Sequence, residues 1–575
     1  MLGLILLSLL SLSTCSPPYC QPGEQCWPSN EEVELFASSL SDHDEECMGL
    51  PTFSSLDKQG DLMHNYWYPE VPDMITPYKL ANLRNKVADD ISAYFVVVAR
   101  NESDVVKAVQ FATSHNLGLS VFSTGHEFND RNAGAGNNSF LIRTTCLTTV
   151  EFDLQEENRF DHPDGTIRLG AGMTWGTSKF GVPGVHQHAR DHDRVVVSGH
   201  AGNVGIVGWS LGGGHGQLVG TYGMGVDQVL EVEMVIADGS MVVANAEGTL
   251  VTSEGGIAEH TDNADLFWAL RGGGAGPWGV ITAMTIKAHK PRNSCKTGCY
   301  TQWTMIWESN FNEDDGKMLE DVTAGYLAWV ASSSKYWSSY GSPYAFENLT
   351  YGFRISEALY VGTEEDEEDY WSLVDAMANV RPDKFVFKSH EVFDTFVDKI
   401  EVQVPESVYS TYNFDMMVSV LLNTTAATDP DFPKLLVDFW LPRCYRNGFG
   451  PACVSSYLFM HCLTGEEDDD YTDSAVSLTF RRAKMHITAS PFMSFGSPLT
   501  WEERTQFAHE VVAPAFYKFS EGSYYSESEY SMDGTWKERF WGKENYERLL
   551  SIKRTWDPSF VFSCRHCVGD EEEPY

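Results

Sequence analysis

Apolar and polar positions change period from one stretch of this chain to the next, and the changes mark its elements. Met1 to Ser16 is a Leu-rich apolar run that ends in Ser13-Thr14-Cys15-Ser16. It is too short to span a membrane and reads as a secretory signal peptide, although no basic residue precedes it. No later run reaches about 18 apolar residues, so no transmembrane helix is predicted. Residues 17–85 form an N-terminal segment rich in turns and acids. Within it, Ser29-Asn30-Glu31-Glu32 makes a capping box ahead of Val33, Phe36, Ala37 and Leu40, which predicts a short amphipathic helix.

The pattern sharpens at Tyr94 to Ala99, a continuous apolar run that predicts a buried strand. A helix capped by Ser103 should follow, with Val105, Val106, Val109 and Ala112 on one face. Asn116-Leu117-Gly118 ends it, and Leu119 to Phe122 is the next strand. This unit delivers Ser123-Thr124-Gly125-His126 at the carboxyl end of a strand, where ligand sites gather. Thr166 to Leu169 predicts another strand. Val229, Leu230, Val232, Met234 and Ile236 form a strand that Asp238-Gly239 folds back onto Met241 to Ala244, a hairpin with a type I′ turn. Asp265 to Leu270 is a short helix and Val280 to Ile286 a strand. Beyond Pro291, apolar strands such as Met416 to Leu422 mix with acidic helices and loops. The run Glu466 to Asp470 reads as a solvated loop. A helical region from Leu499 leads to Gly522–Glu527. The amphipathic helix 541–553 is then stopped by Asp557-Pro558, and the acidic tail after Gly569 is expected to be mobile. There is no internal repeat.

Length and charge narrow the class. A chain of 575 residues allows three or four domains of about 150 residues. A net charge of −41 argues against nucleic acid and anionic membrane surfaces as partners, since both require a basic patch. The aromatic share of 13%, with 16 Trp, suits surfaces that hold rings or sugars. Of 12 cysteines, Cys15 would leave with the leader. In an oxidising compartment most of the others should pair, with at least one left over. Cys20 with Cys26, Cys295 with Cys299 and Cys564 with Cys567 are close in sequence. Glycosylation sequons stand at Asn101, Asn137, Asn348 and Asn423.

The densest candidate chemistry is the stretch Gly199 to Gly216, in which Gly205, Gly208, Gly212, Gly213, Gly214 and Gly216 are glycines. Such backbone passes close to a ligand, and its successive N–H groups can cradle an anion such as a pyrophosphate. No Lys-Ser/Thr follows, so it is not a Walker loop, and it lacks the setting of the usual dinucleotide fingerprint. A ligand-free surface loop is the alternative. His186, His188, His192 and His200 with Asp191 and Asp193 resemble a metal cluster, but their spacing fits no catalytic zinc signature and no metal is expected.

In order along the chain, these motifs resemble the covalent flavoprotein oxidases of the vanillyl alcohol oxidase class, and within it the berberine bridge enzyme-like group. Ser123-Thr124-Gly125-His126 is similar to the group's motif whose His carries the flavin. Val204 to Gly216 resembles its T-V-G-x-x-G-G-x-x-x-G-G-G-[YH]-G stretch, and Tyr222 to Val229 its Y-G-L-x-A-D-x-V continuation. Asp265 to Gly274, followed by Gly279-Val280-Ile281-Thr282, is similar to D-L-F-W-A-L-R-G-G-G with G-V-V-T. Trp541 to Pro558 resembles the C-terminal flavin-covering segment. The resemblance covers about residues 85–292 and 506–575.

It implies an α+β fold: a two-subdomain FAD-binding PCMH-type domain (86–292), a substrate domain with a large antiparallel sheet and flanking helices (293–505), and a covering segment (506–575). It implies FAD held by Ser123, Thr124, Gly125, His126, Ala201, Val204, Gly205, Gly208, Trp209, Gly212, Gly213, Gly214 and Val280. A second link through Cys occurs in many relatives at the position of Ala201, so a single link through His126 is expected. A small Val at the position of Val204 lets dioxygen reach the flavin in relatives, which favours an oxidase. Gly522-Ser523-Tyr524-Tyr525-Ser526-Glu527 resembles G-x-Y-x-N-E with Ser526 in place of Asn. Tyr524 and Glu527 are the catalytic candidates, each with a packed structural role as the alternative; a phenol needs a lowered pKa to act as base.

The expectation is a secreted FAD-dependent oxidase that takes hydride from a carbon bearing a hydroxyl of a small-molecule substrate and yields hydrogen peroxide. Its rivals are a dehydrogenase of the same fold with another electron acceptor, and a secreted binding protein without chemistry.

Overall fold

The computed structural model describes residues 19–41, 52–55, 94–127, 129, 131, 140–177, 182–253, 255–292, 300–346, 348–362, 367–403, 418–441, 457–463, 465, 473–489, 506–529, 532 and 534–570. The leader, most of 17–85, Asn137, the pair Cys295 and Cys299, the run Glu466–Asp470 and the tail from 571 lie outside these residues. So does the part of the helical region from Leu499 up to residue 505.

Three sheets carry the chain. The first is ordered Phe53–Ser55, Phe95–Val98, Phe140–Arg143, Leu119–Phe122. Phe95–Val98 and Leu119–Phe122 both run parallel to Phe140–Arg143. Phe95, Val97, Phe140 and Ile142 are buried, as the unbroken apolar run requires when a parallel strand is covered on both faces. The helix Glu102–Ser114 lays Val105, Ala108, Val109 and Ala112 on this core. Its cap is Asn101, not Ser103: the Asn101 side chain accepts from the Asp104 N–H at 3.1 Å.

The second sheet has seven antiparallel strands, ordered Ala258–Thr261, Gly248–Thr252, Met241–Asn245, Val229–Val235, Val280–Lys287, Thr166–Gly170, Val150–Asp153. The hairpin at 236–240 forms, but only Gly239 has a positive φ, +83°. A type I′ turn needs two such residues, so the expected turn type gives way to one left-handed glycine.

The third sheet also has seven antiparallel strands: Phe385–Phe393, Tyr300–Asn310, Thr350–Tyr360, Trp337–Ala345, Tyr457–His461, Met485–Ala489, Val418–Leu422. The helix Lys317–Ser332 covers it, burying Met318, Leu319, Val322, Tyr326, Leu327 and Val330.

Two contacts tie these parts together. The Arg481 guanidinium, fully buried, donates twice to Asp227, at 2.7 and 2.8 Å, from the third-sheet half to the glycine-rich half. The C-terminal residues do not lie on the surface: Trp541, Tyr546, Leu549 and Ile552 enter the core of the second sheet's unit. Trp541 Nε1 donates to the Gly272 carbonyl at 2.8 Å, and the buried Lys553 ammonium to those of Pro277 and Phe562. One helix was expected over 541–553; there are two, Trp536–Trp541 and Lys543–Trp556, hinged at Gly542 with φ +76°.

Cys20–Cys26 and Cys564–Cys567 are disulfides, and Cys146 is also disulfide-bonded. Cys462 is free and buried. Among the described residues no helix is long and apolar enough to cross a membrane.

Candidate functional site

The two stretches singled out by sequence meet. Thr124 Oγ1 accepts from the Gly205 N–H at 3.1 Å, Ser123 Oγ donates to the Ala171 carbonyl at 3.1 Å, and Thr145 Oγ1 donates to the Ser123 carbonyl at 2.8 Å. A Cβ on Gly205 would stand 3.1 Å from Ser123 Oγ and 3.2 Å from Thr124 Oγ1, so a larger residue would press on this contact. Gly125 then turns with φ +83° and His126 follows, half-buried.

Gly125, His126, Gly199, His200, Ala201, Asn203 and Val204 all keep partial exposure, and Gly208 is exposed with nothing within 4 Å of where its Cβ would be. They belong to two segments that meet at the Thr124–Gly205 contact, with His126 two residues beyond it, and together offer accessible backbone and an imidazole. This chemistry fits a flat ring system that takes backbone hydrogen bonds on its edge and a covalent bond from a nitrogen. FAD therefore fits the residues present.

Other expected cofactor contacts fall elsewhere. Gly212 and Gly213 are buried against the second half of the chain, where a Cβ on Gly212 would lie 2.2 Å from Ser526 Oγ and one on Gly213 2.6 Å from the Phe480 ring; Gly214 is buried against Gly225 and Trp209. Trp209 is turned into the core, where its Nε1 donates to the His215 carbonyl at 3.0 Å and its ring meets Trp175 edge-on. Its side chain packs in the core. Val280 is likewise fully buried among Phe95, Val97 and Val235.

At the end of the glycine stretch a polar cluster assembles from three distant segments. His215 Nε2 lies 3.3 Å from Glu527 Oε1, and His486 Nδ1 lies 3.7 Å from Glu527 Oε2. The Tyr524 ring packs edge-on against both imidazoles, at 5.0 and 5.5 Å. Ser419 Oγ accepts from the Tyr524 N–H at 2.8 Å and shares a hydrogen bond of 2.8 Å with His486 Nε2, which fixes that ring. Burial pushes His486 down to about 3, so it is a neutral imidazole at working pH. Burial opposes ionisation of Glu527, but the adjoining His215, by its field and its hydrogen bond, outweighs it and holds the carboxyl below its usual range. Tyr524 moves the other way: burial, and then the Glu527 charge, push its hydroxyl above the ordinary value. The lowered phenol pKa that a Tyr524 base needs is not there. Its hydroxyl is buried with no hydrogen bond of standard geometry to the described residues.

Sequence reasoning missed His215 and His486. His215 stood inside the quoted glycine motif, and His486 is a polar residue at the centre of an apolar strand, a readable signal. It also missed a second buried group. Lys399 Nζ donates to Gln217 Oε1 and, at 2.9 Å, to Glu357 Oε2, with His200 Nε2 3.5 Å from Glu357 Oε1. Gln217 and His215 flank Gly216, so one turn of chain serves both clusters.

The histidines at 186–192 do not converge on a cation: His186 Nε2 pairs with Ser198 Oγ, and His192 Nδ1 with the His188 carbonyl. His215, His486 and Glu527 do bring three donor atoms within 4.8 Å of one another, close enough to hold a divalent ion.

Comparison with known proteins agrees with this geometry. Residues 93–245 match the FAD binding domain family and residues 517–569 the berberine and berberine-like family. The chain is 25% identical to the FAD-linked oxidoreductase apf9 of Gibberella fujikuroi, over 99% of this chain and 97% of that one. It is 26% identical to the FAD-linked oxidoreductase orf1 of Neocamarosporium betae, over 96% and 92%. In fold it is similar to the VAO-type flavoprotein MtVAO615 of Myceliophthora thermophila, with a TM-score of 0.73, 21% identity and coverage of 96% and 97%. It is also similar to a glucooligosaccharide oxidase of Acremonium strictum whose FAD is described as 6-S-cysteinyl, 8α-N1-histidyl, with a TM-score of 0.60, 18% identity and coverage of 83% and 92%.

Proposed function

We propose that this chain, an FAD-dependent oxidoreductase of the vanillyl alcohol oxidase class and its berberine bridge enzyme-like group, is a secreted alcohol or carbohydrate oxidase with flavin attached through His126 alone. The reading is carried by three contacts: Thr124 with Gly205 joins the His126 loop to the glycine stretch, His215 with Glu527 joins that stretch to the Tyr524–Glu527 segment, and Arg131 with Tyr525 joins the segment back to the loop. Held by the His126 loop and the Gly199–Val204 backbone, FAD would supply a two-electron acceptor for the substrate hydride, with dioxygen as the final acceptor and hydrogen peroxide as its product.

The protein's share is to bind the substrate hydroxyl and remove its proton. Tyr524, kept a neutral phenol, hydrogen-bonds the substrate oxygen. Glu527, kept ionised, takes the hydroxyl proton as hydride leaves the adjoining carbon, so that a ketone or aldehyde results. His215 and the neutral, Ser419-fixed His486 hold the carboxylate in place. Ala201 offers no sulfur for a second link, and the small Val204 leaves the glycine stretch open to dioxygen. Secretion is supported by the apolar leader, by the disulfides at both ends of the described chain, and by exposed sequon residues Asn101, Asn348 and Asn423.

In acid precipitation, the secreted protein is expected to keep its yellow flavin in the pellet, and His126→Ala to release it to the supernatant. Flavin that washes out of the wild type removes the role given to His126; no flavin in either fraction favours a binding protein. Turnover without peroxide would mark a dehydrogenase. Dialysis against a chelator is expected to leave turnover unchanged, because His215, His486 and Glu527 act here as a proton-transfer group. Loss of activity that zinc or manganese restores would make them metal ligands instead.

A further inference from the structure

The loop that follows His126 is held by one buried guanidinium. Arg131, with 3% of its side chain exposed, donates through Nη1 to Glu127 Oε1 at 3.1 Å and to the Tyr525 carbonyl at 2.9 Å. Its Nε donates to the Arg565 carbonyl at 3.1 Å, inside the loop closed by the Cys564–Cys567 disulfide. The guanidinium carbon lies over the Tyr525 ring, 3.8 Å from its centroid. A parallel strap reinforces it: Asn129 takes Glu127 Oε1 with its N–H at 2.8 Å and donates from Nδ2 to Ser528 Oγ at 2.8 Å, which in turn donates to the Tyr525 carbonyl.

The residues on either side of this clamp are the ones the reaction uses. Glu127 is the neighbour of His126, and Tyr525 is the neighbour of Tyr524. We propose that Arg131 is the positioning residue that aligns the His126 imidazole for flavin attachment and, through the Tyr525 carbonyl, locks the Tyr524–Glu527 segment to the same frame. The proposal rests on the reading of His126 as the attachment point. Attachment exchanges one C–H bond of the flavin 8α-methyl group and the imidazole N–H for one C–N bond. Two electrons and two protons pass to the ring, and dioxygen then removes them as hydrogen peroxide. The imidazole must hold its line to that carbon for the bond to form, and displacement of about 1 Å in such an arrangement costs on the order of 10²-fold in rate. No other side chain among the described residues donates to both the Glu127 carboxylate and the Tyr525 carbonyl through a single nitrogen. Lysine keeps the charge but cannot reproduce the three-way fork or the guanidinium's contact with the Tyr525 ring.

The test uses full-length secreted protein with Arg131→Ala and Arg131→Lys, each measured as acid-insoluble flavin per folded molecule, as the time course of attachment of added FAD, and as Tm. Both variants are expected to hold flavin in the native state, release most of it in acid, and attach it on the order of 10²-fold more slowly than wild type. The lysine variant keeps the comparison meaningful if the alanine variant does not fold. Attachment per folded molecule at the wild-type rate in either variant would overturn the proposal, whatever happens to Tm. A wild type without acid-insoluble flavin would instead sink the His126 reading, a result visible before any Arg131 variant is made.

Discussion

Replacing Glu527 with Gln lowers turnover by a factor on the order of 10² to 10⁴, the range lost when a positioned proton acceptor is removed. Gln keeps the shape and one oxygen, so flavin content and Tm should stay close to wild type, and the loss falls on chemistry. Tyr524→Phe should cost far less, about tenfold, because it removes a hydrogen bond and not the acceptor. The pH profile separates the two roles. Glu527 acts as an anion, and its pKa is held below the ordinary value of 4.5. Activity should therefore stay level as pH falls from neutral and drop only below about pH 4.5; the raised Tyr524 adds no limb below its ordinary value of 10.0. Peroxide release measured against pH checks this. A profile that instead rises with an alkaline pKa, and a Tyr524→Phe loss larger than that of Glu527→Gln, would hand the proton to Tyr524.

Asp227→Ala is expected to be the most destabilising single change, by about 3–5 kcal/mol. The carboxylate receives both nitrogens of a guanidinium that has no exposure, and it also accepts from the Met224 N–H at 2.8 Å. Truncation leaves Arg481 charged and buried without its carboxylate, while Ser474 Oγ still accepts from it at 2.8 Å. The cost should appear in denaturant unfolding and as a fall in secreted yield. It should be largely relieved in Asp227→Ala/Arg481→Met, which removes the orphaned charge. A single variant within about 1 kcal/mol of wild type would show that the pair is not a clamp.

The glycine-rich half was legible because its signals are local. A run such as Phe95–Val98 has no polar position to spare and can only be a covered strand, and the glycines of 205–216 mark close approach whatever the partner. What each glycine approaches was not legible. Gly212 and Gly213 make room for Ser526 and Phe480, residues hundreds of positions away, and the sequence pattern alone could not separate that from room for a cofactor. At Trp209 and Val280, motif position marks nearness to the ligand, while side-chain direction, which packing decides, turns both side chains into the core. The polar clusters were the least legible part. Lys399 carries no local mark, and only Glu357 and Gln217, brought to it by the third sheet, explain how a charge sits there. The turn at Asp238-Gly239 was read as to place but not as to conformation, and the break at Gly542 was not read at all.

The C-terminal segment has a further consequence. Tyr524, Glu527, Arg131's acceptors at Tyr525 and Arg565, and the Trp541 and Lys553 anchors all come from the last stretch to be synthesised, while His126 and the glycine stretch come early. A nascent chain can thus complete its first two sheets and still lack the residues proposed to bind substrate until residues 517–570 have left the ribosome and folded back over hundreds of positions. Completion of the site becomes a late checkpoint on the whole polypeptide: a chain truncated near its end keeps the glycine stretch but lacks Tyr524, Glu527 and the Trp541 and Lys553 anchors, and leaves uncovered the apolar core those anchors close.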